Sequence, residues 1–147
     1  MNVMGPIPGE LAAFPGYLLV RLGDSSRQRF HQALEPEGMR PHHFGVMTIV
    51  DAHPGITQHR LHEKTAIDPS SMVAVIDELE QLGWAERRPH PGDRRAHMIF
   101  LTEPGQQTLA RARTRAGALQ REFFAVLTAE ERRTLHALLR RLAGSEP

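Results

Sequence analysis

Residues 57–102 read TQHRLHEKTAIDPSSMVAVIDELEQLGWAERRPHPGDRRAHMIFLT, and this stretch decides the fold. Thr57 is suited to cap a short helix whose Leu61 points inward, and Ala66-Ile67 supplies a tight, partly buried turn. Asp68 caps the next helix and Pro69 suits its first position. Met72, Val75, Ile76, Leu79 and Leu82 then recur at helical spacing until Gly83 closes it. Residues 84–87 alternate in a way that pairs with 96–101, and Pro89, Pro91, Gly92 and Asp93 provide the connecting turn. A helix, a turn, a helix and an arginine-tipped hairpin in this order predict a winged helix-turn-helix. In that fold one helix fits the major groove of DNA and the hairpin reaches the neighbouring minor groove or backbone.

Working outward, Pro41 opens a shorter helix whose buried face is marked by Phe44, Met47 and Val50, and Pro54-Gly55 ends it. Upstream, Leu18, Leu22, Phe30 and Leu34 alternate with Arg21, Arg27 and Arg29 as in an amphipathic helix over 15–34, stopped by Pro36 and Gly38. Leu11 and Phe14 can extend it, against the break that Pro15-Gly16 favours. Residues 1–8 lack periodicity and are expected to be a flexible arm. Downstream, Thr102 caps a long helix carrying Leu109, Ala112, Ala116, Leu119 and Phe123, and Thr128-Ala129-Glu130-Glu131 forms a capping box for a sixth helix with Leu135, Leu138, Leu139 and Leu142. The expected fold is mainly α: a six-helix winged helix-turn-helix with a two-to-three-stranded β-wing.

Composition narrows the function. A chain of 147 residues, 40% hydrophobic and 24% charged, is of single-domain size with ordinary globular make-up, which argues against disorder. Cysteine is absent, so neither a disulfide, a thiolate zinc cluster nor a peroxide-sensing thiol can be built. No apolar run approaches the ~20 residues of a membrane span, and no secretion signal is visible, so no membrane partner and a cytoplasmic location are expected. The net charge of +1 is too small to argue for nucleic acid by itself. Its distribution is more telling: Arg87, Arg88, Arg94 and Arg95 surround the hairpin, whereas Arg111, Arg113, Arg115 and Arg121 follow one later segment.

The stretches Thr57-Gln58-His59-Arg60-Leu61, Ile67-Asp68-Pro69-Ser70-Ser71, Leu79-Glu80-Gln81-Leu82-Gly83, Asp93-Arg94-Arg95-Ala96 and Leu101-Thr102-Glu103-Pro104-Gly105 resemble, in order and spacing, the MarR (multiple antibiotic resistance regulator) family. The resemblance implies a homodimer that reads a pseudo-palindrome in double-stranded DNA. Residues 9–35 and 103–144 would form a helical dimerisation region from both chain ends, and 41–102 the DNA-binding lobe. Residues 11–34 and 109–142 also carry apolar faces that one small lobe cannot cover. The DNA-contact set expected on these grounds is Thr57, His59, Arg60, Asp68, Ser70, Ser71, Val73, Ala74, Arg88, Asp93, Arg94 and Arg95. Ser70 and Ser71 stand at a helix N-terminus, where two roles are open: completing the Asp68 cap, or approaching phosphate and base edges. Asp93 and Arg95 repeat the family's Asp-x-Arg pattern, in which the acid orients the turn and the guanidinium enters the minor groove. One departure stands out. The recognition helix carries Asp77, Glu78 and Glu80 but no Lys or Arg, and Val73 and Ala74 occupy positions where relatives often have polar or basic residues. Contact with thymine methyls and shape readout by the wing are the remaining means of recognition.

Relatives commonly bind small anionic aromatic effectors between the dimerisation helices and the DNA-binding lobe. Tyr17, Arg21, His43, Phe44 and Met47 are the candidates for such a pocket here, although Phe44 and Met47 also have the spacing of core residues. Nine histidines allow His42-His43, His59 with His62, and His90 with His97 to be drawn as ligand pairs, but none has compelling metal spacing, and no metal or cofactor is expected. No nucleophile elbow, phosphate loop, His-Glu-x-x-His helix or dinucleotide fingerprint is present, so no catalytic residue is assigned. A metal-responsive regulator and a winged helix used only for protein contacts are the competing readings.

Overall fold

Four helices of the protein begin at side-chain caps named in the sequence. In the computed structural model, which describes residues 5–144, Thr57, Asp68, Thr102 and Thr128 accept from the backbone N–H three residues on, at 3.3, 3.0, 3.1 and 3.2 Å. Glu131 completes the capping box by accepting from the Thr128 N–H at 2.7 Å. Satisfying these orphan donors sets where each helix starts.

The elements run α1 Gly9–Ala12, α2 Pro15–Leu34, a 3-10 turn Glu35–Glu37, α3 Pro41–Ala52, β1 Ile56–Thr57, α4 Gln58–Thr65, α5 Pro69–Gln81, β2 Ala85–His90, β3 Asp93–Leu101, α6 Glu103–Phe123 and α7 Ala129–Leu142. Helix α1 is an addition to the six expected helices. Pro15 lacks an N–H and drives Phe14 into an extended conformation (φ −102°, ψ 107°), so Leu11 ends up in a separate turn instead of lengthening α2. The first four residues of the expected N-terminal arm lie outside the described residues; residues 5–8 have no regular structure.

The sheet is antiparallel in the order β1-β3-β2. Its register pairs Ala85 with Leu101 and Arg88 with Met98, and an irregularity falls between Pro89 and His90. The hairpin is longer than expected because pairing continues through Pro89 almost to the Pro91-Gly92 turn. Pro89 is tolerated because β2 is an edge strand with no further partner to receive its missing N–H. Two short-range devices fix the helix-turn-helix: Ala66 takes a left-handed conformation (φ 54°) between α4 and α5, and Gly83 does so (φ 73°) after α5.

The core joins α3, α4 and α5 to the sheet through Val46, Met47, Leu61, Met72, Ile76, Leu79 and Ile99, with Leu34 and Leu109 closing it from α2 and α6. Leu82 departs from the expected apolar face. It lies beyond the last turn of α5 and is 45% exposed. Gly105, in the first turn of α6, packs against the backbone of Trp84 so closely that a Cβ would lie 2.0 Å from the Trp84 carbonyl oxygen. That contact anchors the long helix to the base of the wing.

The helices at the two chain ends leave apolar residues uncovered. Helix α7 has no buried residue and exposes Leu138, Leu139 and Leu142; Leu11 of α1, Leu19, Val20 and Leu22 of α2, and Phe14 between these two helices are exposed as well. No described helix is long and apolar enough to cross a membrane.

Candidate nucleic-acid interface

At the start of α5, Asp68 is more than a cap. Its two carboxylate oxygens accept from the Ser70 and Ser71 hydroxyls, each at 2.6 Å, in addition to the Ser71 N–H. These bonds, those from the serine side chains first, hold the Asp68 carboxyl far below the usual carboxylate range. Both serines therefore complete the cap, while their exposed oxygens keep lone pairs toward solvent. One turn on, Val73 and Ala74 are exposed on the same helix.

The wing arginines fall into two groups. Arg94 and Arg95 are exposed at the hairpin tip, and neither guanidinium has a partner among the described residues. Asp93 accepts from the Arg95 N–H at 2.9 Å and so orients the turn that carries both. Arg95 borders a cleft of about 570 Å³ with Thr57, His59, His62, Pro69 and His97, so the wing tip and the start of the helix-turn-helix face one concave surface. Arg60 is exposed beside it, and His59 lies 3.4 Å from Glu63.

Arg87 and Arg88 are held by the protein itself. Arg88 pairs with Glu86 and lies 4.2 Å above the Phe100 ring, which fixes it on the flank of the hairpin. Arg87 is 18% exposed. It meets Asp77 at 2.7 Å and Glu80 of α5, donates to the Val73 carbonyl at 3.3 Å, and reaches Gln58 of α4 at 3.3 Å. Sequence reasoning placed Arg87 in the basic cluster without a distinct role. The signal that could have singled it out was the acidic pair Asp77 and Glu80, one turn apart on the helix that the sequence reading assigns to the major groove.

Three of the four arginines in the later basic segment are also satisfied internally, while Arg121 is exposed and has no acid partner among the described residues. Arg111 and Arg115 bind the two oxygens of Glu37 at 2.8 and 3.0 Å, and Arg113 meets Asp51 at 2.7 Å, so α6 is tied to the 3-10 turn and to α3. Hydrogen bonds from Arg111 and Arg115 hold the Glu37 carboxyl below its ordinary value.

The five residues expected around an effector do not share one cleft. Met47 is fully buried in the core, because the face of α3 that carries it is the one packed on the sheet. Phe44 packs edge-on against Phe30 at 5.1 Å and borders a cleft of about 420 Å³ with Arg113 and Phe123. Arg21 donates to the Tyr17 hydroxyl at 3.1 Å and borders a larger cleft of about 850 Å³ between α2 and α6, with Arg29, Gln28, Arg115 and Glu122. His43 is buried and serves α5: its Nε2 lies 2.7 Å from Glu78, and its Nδ1 accepts from the Arg40 N–H at 3.3 Å. Burial first, opposed by the Glu78 bond, holds the His43 imidazole below its ordinary value.

His42 Nε2 approaches the same Glu78 oxygen at 3.4 Å, which makes His42, His43 and Glu78 a group with the donor types of a metal site. The tautomer argues otherwise. With Nδ1 accepting a backbone N–H, His43 carries its proton on Nε2, the atom a metal would need bare, whereas metal-bound histidines use the second nitrogen as a donor. The group is a hydrogen-bonded tie between α3 and α5.

Comparison with known proteins gives the following. The model of the MarR family matches residues 37–96. A protein assigned as the transcriptional regulator for the hcr operon of Thauera aromatica is 34% identical over 141 residues, covering 95% of this chain and 82% of that protein. The transcriptional repressor CouR bound to a 23-mer DNA duplex aligns with a TM-score of 0.86 at 30% identity, covering 95% of this chain and 99% of that one. CouR from Rhodococcus jostii RHA1 bound to p-coumaroyl-CoA aligns with a TM-score of 0.78 at 26% identity, covering 90% and 94%.

Proposed function

This chain belongs to the MarR family of transcriptional regulators, and on that premise we propose that it is a homodimeric repressor that binds a pseudo-palindromic operator and is released by a small aromatic or phenolic effector. In this reading α5 enters the major groove and the wing the minor groove. The observation that carries it is the pair of unpartnered guanidiniums, Arg94 and Arg95, at the tip of a hairpin that shares a concave surface with the start of the helix-turn-helix. Arginines left free of internal acids are available for DNA, and each phosphate neutralised contributes a salt slope of about −0.9. Thr57, His59, Arg60, Ser70, Ser71, Val73 and Ala74 complete the proposed contact surface, with Asp68 and Asp93 as orienting residues and Arg88 on the flank.

Residues 9–35 and 103–144 form the proposed dimerisation region. The support is the exposed apolar face that α1, α2 and α7 leave uncovered, a face that removal from water would stabilise. For the effector, the cleft between α2 and α6 is lined by Arg21 beside Asp24, Glu122 and the Glu122-paired Arg29, so Arg21, which no acid pairs among the described residues, is the cation proposed to meet an anionic ligand. The CouR complex with p-coumaroyl-CoA makes aromatic acyl thioesters, beside free aromatic acids, the class to test. The test is binding of the purified protein to its own upstream DNA across a salt series, repeated with a panel of aromatic acids and their coenzyme A thioesters. Specific, salt-dependent binding relieved by one of these compounds is the expected result; binding that ignores sequence, or that no compound alters, contradicts the corresponding part of the proposal.

A further inference from the structure

A recognition helix with three acids and no base ought to be repelled by DNA, yet α5 carries Asp77, Glu78 and Glu80 and no Lys or Arg. Each of these acids has a partner from another element. Glu78 receives His42 and His43 of α3. Asp77 and Glu80 both receive the one guanidinium of Arg87, from the wing strand β2, and Glu80 also accepts the Arg87 backbone N–H at 2.9 Å. The same guanidinium reaches the Val73 carbonyl and Gln58, so it touches both helices of the helix-turn-helix as well as the wing that carries it.

Building on the DNA-binding reading above, we infer that Arg87 is a positioning residue for DNA recognition, masking the acids of α5 and locking the wing to that helix without itself contacting DNA. Two functions meet in one side chain. The planar fork reaches two carboxylates, a carbonyl and an amide oxygen from donors spread over three nitrogens, whereas a lysine has three donors on a single atom. Because four protein groups occupy its donors and it is largely covered, Arg87 is held back from phosphate while Arg94 and Arg95 stay free. Masking keeps Asp77 from meeting the phosphate-lined groove as a bare charge, and the lock fixes the angle between α5 and the arginine tip.

The test uses the full chain and two probes: a duplex selected by the wild-type protein from a randomised pool, and a random-sequence duplex. Arg87→Ala should weaken binding to the selected duplex by about 10- to 100-fold, the range expected when like charges are unmasked and register is loosened, and Arg87→Lys should restore only part of it. In the background Asp77→Asn with Glu80→Gln the same Arg87→Ala change should cost about tenfold less, because no acid remains to unmask. The loss should grow at low salt, where repulsion is least screened. If Arg87→Ala instead costs as much in the neutral background as in the wild type, Arg87 is a phosphate ligand and the inference is overturned. Should Arg87→Ala not fold, the doubly neutral variant with Arg87 intact decides: a changed preference between the two probes at unchanged melting temperature supports the role, and an unchanged preference overturns it. A wild-type protein that selects no duplex overturns the DNA-binding reading itself, and this role with it.

Discussion

The two arginine-rich segments of this molecule use their charge in opposite ways. On α6, Arg111, Arg113 and Arg115 are each paired with an acid of another element, so a segment that looks basic presents closed ion pairs. On the wing, Arg87 is closed in the same manner, while Arg94 and Arg95 at the tip are left open. The difference teaches that a run of cations indicates a partner only where the fold withholds internal acids. On the wing that condition is met at the hairpin tip, where two adjacent arginines are free, whereas on α6 it holds for the single Arg121.

The scaffold side of the comparison breaks most easily at its anchor. Gly105→Ala puts a methyl group into the Trp84 backbone, and calorimetry or urea unfolding should register a loss of about 3 kcal/mol, the upper range for overpacking against a backbone that cannot give way. DNA binding of whatever remains folded should be unchanged per molecule. The functional side is next: Arg95→Ala should weaken operator binding by about 1 to 3 kcal/mol with no shift in melting temperature. A matching fall in stability would move Arg95 to the scaffold class.

Glu37→Gln reverses that pattern. It releases Arg111 and Arg115 together and should cost about 1 kcal/mol of stability, as for a partly exposed ion-pair network, while leaving DNA affinity intact. Since the folded-state Glu37 carboxyl lies below 4.5, its contribution is present above that pH and is lost as pH falls toward the folded value. The wild type should therefore lose its advantage over Glu37→Gln in acid. The smallest effect concerns the tie to α5. His43 is held below 6.5 in the folded state, so the unfolded chain takes up the proton first, and stability should decline as pH falls from 6.5 toward the lower folded value. His43→Gln should flatten that part of the pH profile, measured by thermal melting.

Much of the fold was legible because it rests on short-range chemistry. The caps Thr57, Asp68, Thr102 and Thr128 each act three residues away, and the proline and glycine breaks act where they stand. Within the candidate site the local geometry was legible for the same reason: Asp93 accepts from the Arg95 N–H two residues on. What spacing does not contain is contact across the chain. Arg115 meets Glu37 from 78 residues away and His43 meets Glu78 from 35 away, and these pairings turned an apparent basic face and an apparent effector residue into structural ties. Met47 failed as a pocket wall for a related reason, since helical spacing alone does not say whether a neighbour or a cleft lies beyond the face.

The most direct measurement is the salt dependence of binding to the selected duplex for two double variants, Arg94→Ala with Arg95→Ala and Arg111→Ala with Arg115→Ala. The account predicts that the first pair loses both affinity and salt slope while the second keeps its slope. A lowered slope for the α6 pair with an unchanged slope for the wing pair would contradict it.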